Sequence, residues 1–197
     1  MKTIVIASSN TGKLREFAAL LAPFDFAVIP QSQLGVTEAD EPYATFIENA
    51  LTKARHASRV TGLPALADDS GICVPVLQGA PGVYSARYAG QPKSDQRNNE
   101  KLIAALQDQS DRRAFYYCAL VLVMHADDPH PLIADGEWHG EVIDTPRGVG
   151  GFGYDPYFWL PAYSLTAAEL SAEIKNKISH RGLAMQQLAQ KLRVRAR

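Results

Sequence analysis

The sequence lacks the features that mark several specialised classes of protein. Only two of its 197 residues are cysteines, Cys73 and Cys118, and they lie in different segments, which excludes a disulfide framework and a metal site built from paired cysteines. The formal net charge is −1, so the chain has no broad basic surface for nucleic acid. The longest apolar run, residues 114–124, is too short to span a bilayer. We therefore expect two buried cysteines that pack as small hydrophobic side chains, and no nucleic acid or membrane partner.

The N-terminus also lacks the pattern of a secretory signal peptide. The opening MKTIVIASSN turns polar after four apolar residues, whereas the apolar region of a signal peptide is about 7–15 residues long. Hydrophobic residues make up 46% and charged residues 21% of the chain, as in ordinary globular proteins. The sequence thus predicts a single domain over residues 1–197 in a reducing cytoplasm.

Strand and helix patterns alternate along the chain. Apolar runs predict strands at residues 3–7, 26–29, 114–124 and 131–144. Helical patterns cover residues 11–21, 45–62, 98–106, 167–177 and 179–192. Thr45 and Glu48 have the spacing of a capping box at the start of the second helix, and Ile47 is expected on its buried face. Because helices interleave with strands and two long strands follow one another, we predict an α/β fold with a mixed central β-sheet flanked by helices.

Two adjacent acids follow the apolar run at residues 63–67. Asp68 and Asp69 stand in the sequence ADDSG. If the run leads into a strand, their side chains point to opposite faces, so one carboxylate can face a cleft while the other points elsewhere. Ser70 and Gly71 would then form a turn at the end of the strand. The alternative is a solvated loop.

The segment SSNTGK, residues 8–13, joins the first strand to the first helix. Open α/β sheets bind ligands at this position, helix N-terminal amides favour an anion, and Lys13 adds a positive charge. The segment is not a Walker A site, because Ala7 stands where that motif has its first glycine. It predicts a phosphate site, with capping of the helix by Ser9 or Asn10 as the alternative.

A second glycine-rich loop, GVGGFGYDP, covers residues 148–156. Such a loop can hold the ring of Phe152 where a flat ligand stacks on it. Asp155 can accept hydrogen bonds from N–H groups of that ligand. The alternative is a strained turn that only packs two aromatic side chains.

Basic side chains are concentrated in KNKISHRG, residues 175–182, between the last two helices. Lys175, Lys177, His180 and Arg181 lie close to a helix start, which suits recognition of phosphate or carbonyl groups. The alternative is a solvated basic turn.

Acidic side chains precede the helix that Thr45 begins. Asp40 and Glu41 are the acids available to join Asp69, and two carboxylates together with phosphate oxygens make a magnesium site. A solvated acidic loop is the alternative. An anion site, a set of acids, an aromatic surface and a basic cluster together favour a nucleoside triphosphate with magnesium as the ligand.

Six segments, in this order, resemble the inosine triphosphate pyrophosphatase family, whose members hydrolyse deaminated purine nucleoside triphosphates. They are SSNTGKLREF (8–17), TFIENALTKA (45–54), ADDSG (67–71), GAPGVYSARYAG (79–90), GGFGYDPYF (150–158) and ISHRG (178–182). The resemblance spans nearly the whole chain. It implies a mixed sheet in two lobes with a cleft between them, a homodimer, a Mg²⁺ cofactor, and cleavage of ITP, dITP or XTP to the monophosphate and pyrophosphate.

The same resemblance implies roles for individual residues. Asp69 would be the catalytic base that activates water and, with Glu41, would hold the metal. Pro42 departs from the pattern that family members often show there, so Asp40 is the alternative ligand. The implied substrate contacts are Ser8, Ser9, Asn10, Thr11, Gly12, Lys13, Ser70, Phe152, Gly153, Tyr154, Asp155, Lys175, His180 and Arg181.

Hydrogen-bond chemistry gives the basic cluster a role in choosing the base. Inosine and xanthine present a carbonyl at purine position 6, where adenine presents an amino donor, and Arg181 carries only donors. Arg181 and His180 would therefore favour ITP over ATP. Two other functions remain open from sequence: a non-catalytic nucleotide-binding regulatory module and a pyrophosphatase for modified pyrimidine nucleotides.

Overall fold

The computed structural model describes residues 2–8 and 10–195. Its seven strands are β1 (Lys2–Ile6), β2 (Phe26–Pro30), β3 (Ala65–Cys73), β4 (Arg113–Val123), β5 (Leu132–Val142), β6 (Phe158–Leu160) and β7 (Leu165–Thr166). Its α-helices are α1 (Thr11–Leu21), α2 (Phe46–Thr61), α3 (Asp95–Ala105), α4 (Ala172–Ile178) and α5 (His180–Arg195). Within the described residues, no helix has the length and hydropathy needed to cross a membrane.

The strands form one sheet in the order β2-β1-β3-β4-β5-β6-β7. β1 pairs in parallel with β2 and with β3, whereas β6 pairs antiparallel with β5 and with β7. The sheet is therefore mixed, which confirms the predicted fold class.

The chain divides into two compact units, and each has its own core. The first unit contains the residues up to Asp69, Cys118–Asp135 and the residues from Ala184 on. Its core joins helix side chains such as Phe17 and Leu188 to strand side chains such as Leu66. The first helix and the first strands thus bury their apolar faces against each other, as the sequence periodicity predicts.

The second unit contains Ser70–Tyr117 and Gly136–Leu183. Its core is more aromatic: the ring of Tyr116 packs edge-on against Phe158 at 4.8 Å between centroids, and Trp138 lies 5.3 Å from the same ring. Cys73 and Cys118 are both buried and free, as expected.

The predicted turn at Ser70 and Gly71 is wrong, because β3 continues to Cys73. The backbone beyond Asp69 finds partners in the Gly- and Pro-rich segment that follows. Ile72 donates its N–H to the Ser85 hydroxyl at 2.9 Å. A strand can persist wherever its backbone groups are satisfied, and sequence patterns alone do not reveal a partner thirteen residues away.

The helix predicted from residue 167 begins five residues later, at Ala172. The N–H of Ala167 donates to the carbonyl of Phe158 at 2.9 Å, so this residue extends the strand pairing instead of starting a helix. Ser171 then caps α4 by accepting the N–H of Ile174. The helix therefore starts at its capping residue and not at its first apolar residue.

Ala50, Ala54 and Ala57 form the buried face of α2, as the periodicity predicts, but the first turn of that face differs from the prediction. Ile47 is exposed, whereas the polar Asn49 is buried. Thr45 begins the helix as predicted, by accepting the N–H of Glu48 at 3.3 Å. Asn49 is drawn inward because its side chain holds both the N–H and the carbonyl of Tyr43.

Candidate active site

The two adjacent acids of β3 lie in the first unit, just beyond the point where β3 leaves its partner β1. The last paired residues of these parallel strands are Ile6 and Leu66, so Asp68 and Asp69 lie at the carboxyl edge of the sheet. This is the edge at which α/β proteins bind ligands.

Asp68 points to residues 8–13, the segment between β1 and α1 that the sequence predicts to bind phosphate. Its side chain is buried and accepts a hydrogen bond from the Nζ of Lys13 at 2.8 Å. The lysine that the sequence assigns to phosphate thus neutralises an acid of its own protein. Strand alternation predicts that the side chains of Asp68 and Asp69 point to opposite faces. The two acids do bind different partners.

Asp69 is held by two side chains of α2. Its Oδ1 lies 3.3 Å from the Nζ of Lys53, and its Oδ2 accepts a hydrogen bond from Asn49 at 3.3 Å. The same Lys53 ammonium donates to Glu41 at 2.6 Å. Two carboxylates from distant parts of the sequence therefore meet at one cation.

Three carboxylates, Asp69, Asp68 and Glu41, act on the charge of Lys53. Burial raises the pKa of Asp69 above its ordinary value, and the charge of Glu41 raises it further, against the opposing charge of Lys53. Burial alone would lower the pKa of Lys53, but the charges of Asp69 and its neighbours more than offset this, and its pKa is raised. A carboxylate with a raised pKa is a stronger base.

The geometry of Glu41 and Asp69 fits a divalent cation in part. Both carboxylates converge on one positive group, and Mg²⁺ takes one or two carboxylates with phosphate oxygens and water as the other ligands. Among the described residues, no group of three or more His, Cys, Asp or Glu side chains could hold a metal alone. Glu41 shares Lys53 with Asp69, whereas Asp40 is exposed, so the geometry favours Glu41 as the second ligand.

The backbone N–H groups at the start of α1 are not all available to bind an anion. The Oδ1 of Asn10 accepts the N–H groups of Gly12 and Lys13 at 2.9 and 3.1 Å, so the capping alternative is present. Ser8 accepts the N–H of Asn10 at 3.2 Å. Ser9 lies outside the described residues, and Thr11 is the first residue of α1. Two helix amides are thus already bonded to a side chain.

A second group of predicted residues meets in the second unit. The buried Asp155 accepts the N–H of Phe152 at 2.8 Å and the ammonium of Lys175 at 2.5 Å. The same ammonium lies 5.1 Å from the centre of the Phe152 ring, and that ring is 63% exposed. Gly151 has a φ of +75°, and a Cβ there would lie 2.1 Å from an oxygen of Asp155, so only glycine fits.

These contacts change the role expected for two residues. Asp155 binds its own loop and Lys175 through Oδ2, so it fixes the surface beneath Phe152 instead of facing solvent. Tyr154 is buried and donates its hydroxyl to the carbonyl of Ser85 at 2.8 Å. Its ring therefore belongs to the core. Phe152 is the aromatic side chain that this segment presents to solvent.

His180 and Arg181 begin α5 and are both buried. The imidazole of His180 stacks on the ring of Tyr116 at 4.8 Å with 11° between the planes, and on Trp138 at 6.3 Å. Burial, followed by the negative charge of Asp155, raises the pKa of Tyr116 well above its ordinary range. Tyr116 therefore remains a neutral phenol between Asp155 and His180.

Sequence reasoning missed the side chains that hold Asp69. Asn49 and Lys53 lie four residues apart in TFIENALTKA, one turn apart on a single helix face. Their polar spacing interrupts the apolar pattern of α2, and this interruption was the signal. Ser70, which the resemblance assigns to substrate, lies partly buried in β3 directly after Asp69.

Comparison with known proteins finds relatives that match nearly the whole chain. The family model described as the Ham1 family matches residues 4–191. The "dITP/XTP pyrophosphatase" of Nitrosomonas europaea is 65% identical over 192 residues, which cover 98% of this chain and 95% of that protein. The protein of the same name from Burkholderia pseudomallei is 63% identical, with 96% and 92% covered.

The fold has a close structural match. The solved structure of a HAM1 protein from Coxiella burnetii superposes with a TM-score of 0.95 at 48% identity, and the match covers 98% of this chain and all of that one. These full-length matches confirm the resemblance drawn from the six sequence segments. On sequence and on structure, the chain belongs to the Ham1 family.

Proposed function

We propose that this chain hydrolyses deaminated purine nucleoside triphosphates, namely ITP, dITP and XTP, to the monophosphate and pyrophosphate. The observation that carries the proposal is the partly buried Asp69, held by Asn49 and Lys53 beside Glu41. The printed name of the full-length relatives, dITP/XTP pyrophosphatase, supports this substrate class. Removal of such triphosphates would keep them out of the nucleotide pool.

Asp69 is the proposed general base. Its raised pKa, caused first by burial, makes it a better proton acceptor from water than an ordinary carboxylate. Asn49 holds its Oδ2 at 3.3 Å, and this restricts the direction from which it takes a proton. The water oxygen would then form the new P–O bond to the α-phosphorus while the bond to the pyrophosphate oxygen breaks.

Glu41 and Asp69 would hold a Mg²⁺ ion. When bound, such an ion neutralises phosphate oxygens and acidifies water. Lys53 now lies between the two carboxylates, so its ammonium would have to move aside and would become available to a phosphate. Lys13 would likewise exchange part of its contact with Asp68 for a phosphate oxygen, together with the other residues of the 8–13 segment.

The residues around Phe152 would bind the base. The exposed ring of Phe152 offers a stacking surface, and the Lys175 ammonium lies over it. Arg181 and His180 would donate hydrogen bonds to the 6-carbonyl of hypoxanthine or xanthine. An adenine amino group in the same position would place donor against donor, which costs about 1–3 kcal/mol for each unpaired group.

The decisive experiment is a substrate panel with magnesium. ITP, dITP and XTP should release pyrophosphate, whereas ATP and a pyrimidine triphosphate should be poor substrates. Release of orthophosphate instead of pyrophosphate would contradict cleavage between the α- and β-phosphates. Binding of ITP without any turnover would favour the non-catalytic module. Light scattering during size-exclusion chromatography would test the expected homodimer.

A further inference from the structure

We propose that Asp95 and Asn99 of α3 are positioning residues. They fix the Phe152 loop, residues 148–156, and so set the surface on which the nucleobase binds. This inference rests on the proposed function in one respect: it takes the exposed Phe152 ring as the stacking surface. Neither residue belongs to the segments that suggested the family.

One face of α3 binds both peptide groups of a single loop residue. Asp95 accepts the N–H of Gly153 at 2.8 Å through Oδ2. Asn99 donates its Nδ2 to the carbonyl of the same glycine at 2.9 Å. The two side chains are four residues apart in the helix, which places them one turn apart on the same face.

Gly153 needs this support because of its backbone conformation. Its φ is +62°, which lies in the left-handed region that glycine adopts readily. Glycine also has more conformational freedom in the unfolded chain than other residues. Two hydrogen bonds from a helix select one conformation of a residue that otherwise samples several. The residue on its N-terminal side is Phe152, so the direction of that ring depends on the peptide that Asp95 and Asn99 hold.

Further contacts hold the loop next to the exposed Phe152 ring. Asp155 accepts the N–H of Phe152 at 2.8 Å, and the hydroxyl of Tyr154 binds the carbonyl of Ser85. The loop is therefore held on each side of the exposed ring. A ring in a fixed orientation stacks with less loss of entropy than a mobile one.

The surroundings of Asn99 fit a role in orienting the loop better than a role in stabilising the protein. Asn99 is 7% exposed, and its Oδ1 receives no hydrogen bond from the described residues. A buried acceptor without a donor lowers stability. An apolar side chain of similar size would avoid that loss but could not bind the Gly153 carbonyl. The contact that Asn99 does make is the one that fixes the loop.

The test separates base binding from phosphate binding and from turnover. Asn99→Leu in an Asp69→Asn background should weaken ITP binding in calorimetry about tenfold, roughly the value of one neutral hydrogen bond. Binding of inorganic tripolyphosphate, which has no base, should be unchanged. Asp95→Ala should weaken ITP binding in the same way but less, and Asp95→Asn, which keeps an acceptor, should restore it.

Asn98 provides the matched control. It is the next residue of α3, is equally buried, and holds a different loop by bonds to Ala86 and Ala89. Asn98→Leu, which breaks two hydrogen bonds, should destabilise the protein at least as much as Asn99→Leu but without a selective loss of ITP binding. Equal losses for ITP and tripolyphosphate in Asn99→Leu, or unchanged ITP binding, would overturn the inference. Because these readouts are binding constants, wild-type protein that binds ITP but releases no pyrophosphate would contradict only the proposed function.

Discussion

The Asp69 region and the Phe152 region use charge in different ways. In the Asp69 region, Asp68 pairs with Lys13, whereas Glu41 and Asp69 share the ammonium of Lys53. Around Phe152, Asp155 and Lys175 form an ion pair, and the ammonium lies against one face of the ring. Two carboxylates that share one ammonium favour binding of a further cation, and the charge of one raises the pKa of the other. A neutral ion pair beside a fixed aromatic ring favours recognition of a flat ligand by its shape.

The sharpest way to break this contrast is to remove the charge of Asp69. Asp69→Asn keeps the size of the side chain but loses the proton acceptor, so turnover of ITP should fall by about 10² or more, the usual effect of losing a general base. The measurement is the rate of pyrophosphate release at saturating ITP and magnesium. The exposed Asp127, which pairs with Arg59, supplies the control Asp127→Asn, which should keep full activity. Turnover close to wild type in Asp69→Asn would end its assignment as base.

The corresponding change in the second unit, at Arg181, should alter selectivity instead of chemistry. Arg181→Ala should lower kcat/KM for ITP about ten- to a hundredfold, with little change for ATP, because only the 6-carbonyl loses a donor. The ratio of the two constants is the proper readout, since any unfolded fraction of this buried-site variant cancels in it. Equal losses for both nucleotides would place Arg181 at the phosphates or in the fold.

Glu41 sharpens the comparison through the metal. Glu41→Gln should raise the magnesium concentration for half-maximal activity several-fold, because one of two carboxylate ligands loses its charge. Asp40→Asn is the matched control and should leave the magnesium titration unchanged. If Asp40→Asn shifted the titration and Glu41→Gln did not, the ligand would be Asp40.

Lys13 links stability to phosphate binding. Lys13→Met removes the cation that Asp68 contacts at 2.8 Å, which should lower the free energy of unfolding by about 1–3 kcal/mol and weaken binding of any triphosphate. Adding Asp68→Asn should recover most of the stability but not the binding. Urea denaturation and calorimetry with ITP and ATP measure the two effects. Recovery of binding in the double variant would mean that Lys13 acts only through Asp68.

The smallest expected effect is a change in pH dependence without metal. Burial first, and then the charge of Glu41, raise the pKa of Asp69 above 3.8. The stability that this group contributes is therefore complete at pH below about 4 and is lost as the pH rises through the raised pKa. Asp69→Asn has no such loss. In EDTA, its free energy of unfolding relative to wild type should increase as the pH is raised above about 4, and a decrease would contradict the raised pKa.

The sequence by itself determined most of the architecture. The apolar periodicity of residues 11–21 and the β-branched run before it fix α1 and β1, because local burial patterns decide these elements. The six ordered segments were sufficient to identify the family. The placement of Asp68 and Asp69 on different partners also follows from strand alternation alone.

Only the tertiary structure decided how the charges are paired. Glu41, Lys53 and Asp69 are separated in sequence by 12 and 16 residues, and no local pattern tells which side chains meet. The same holds for Asn99 and Gly153, which are 54 residues apart. Secondary structure is dictated by neighbours along the chain, whereas the pKa of a base and the orientation of a loop depend on burial and contacts that exist only once distant segments pack together.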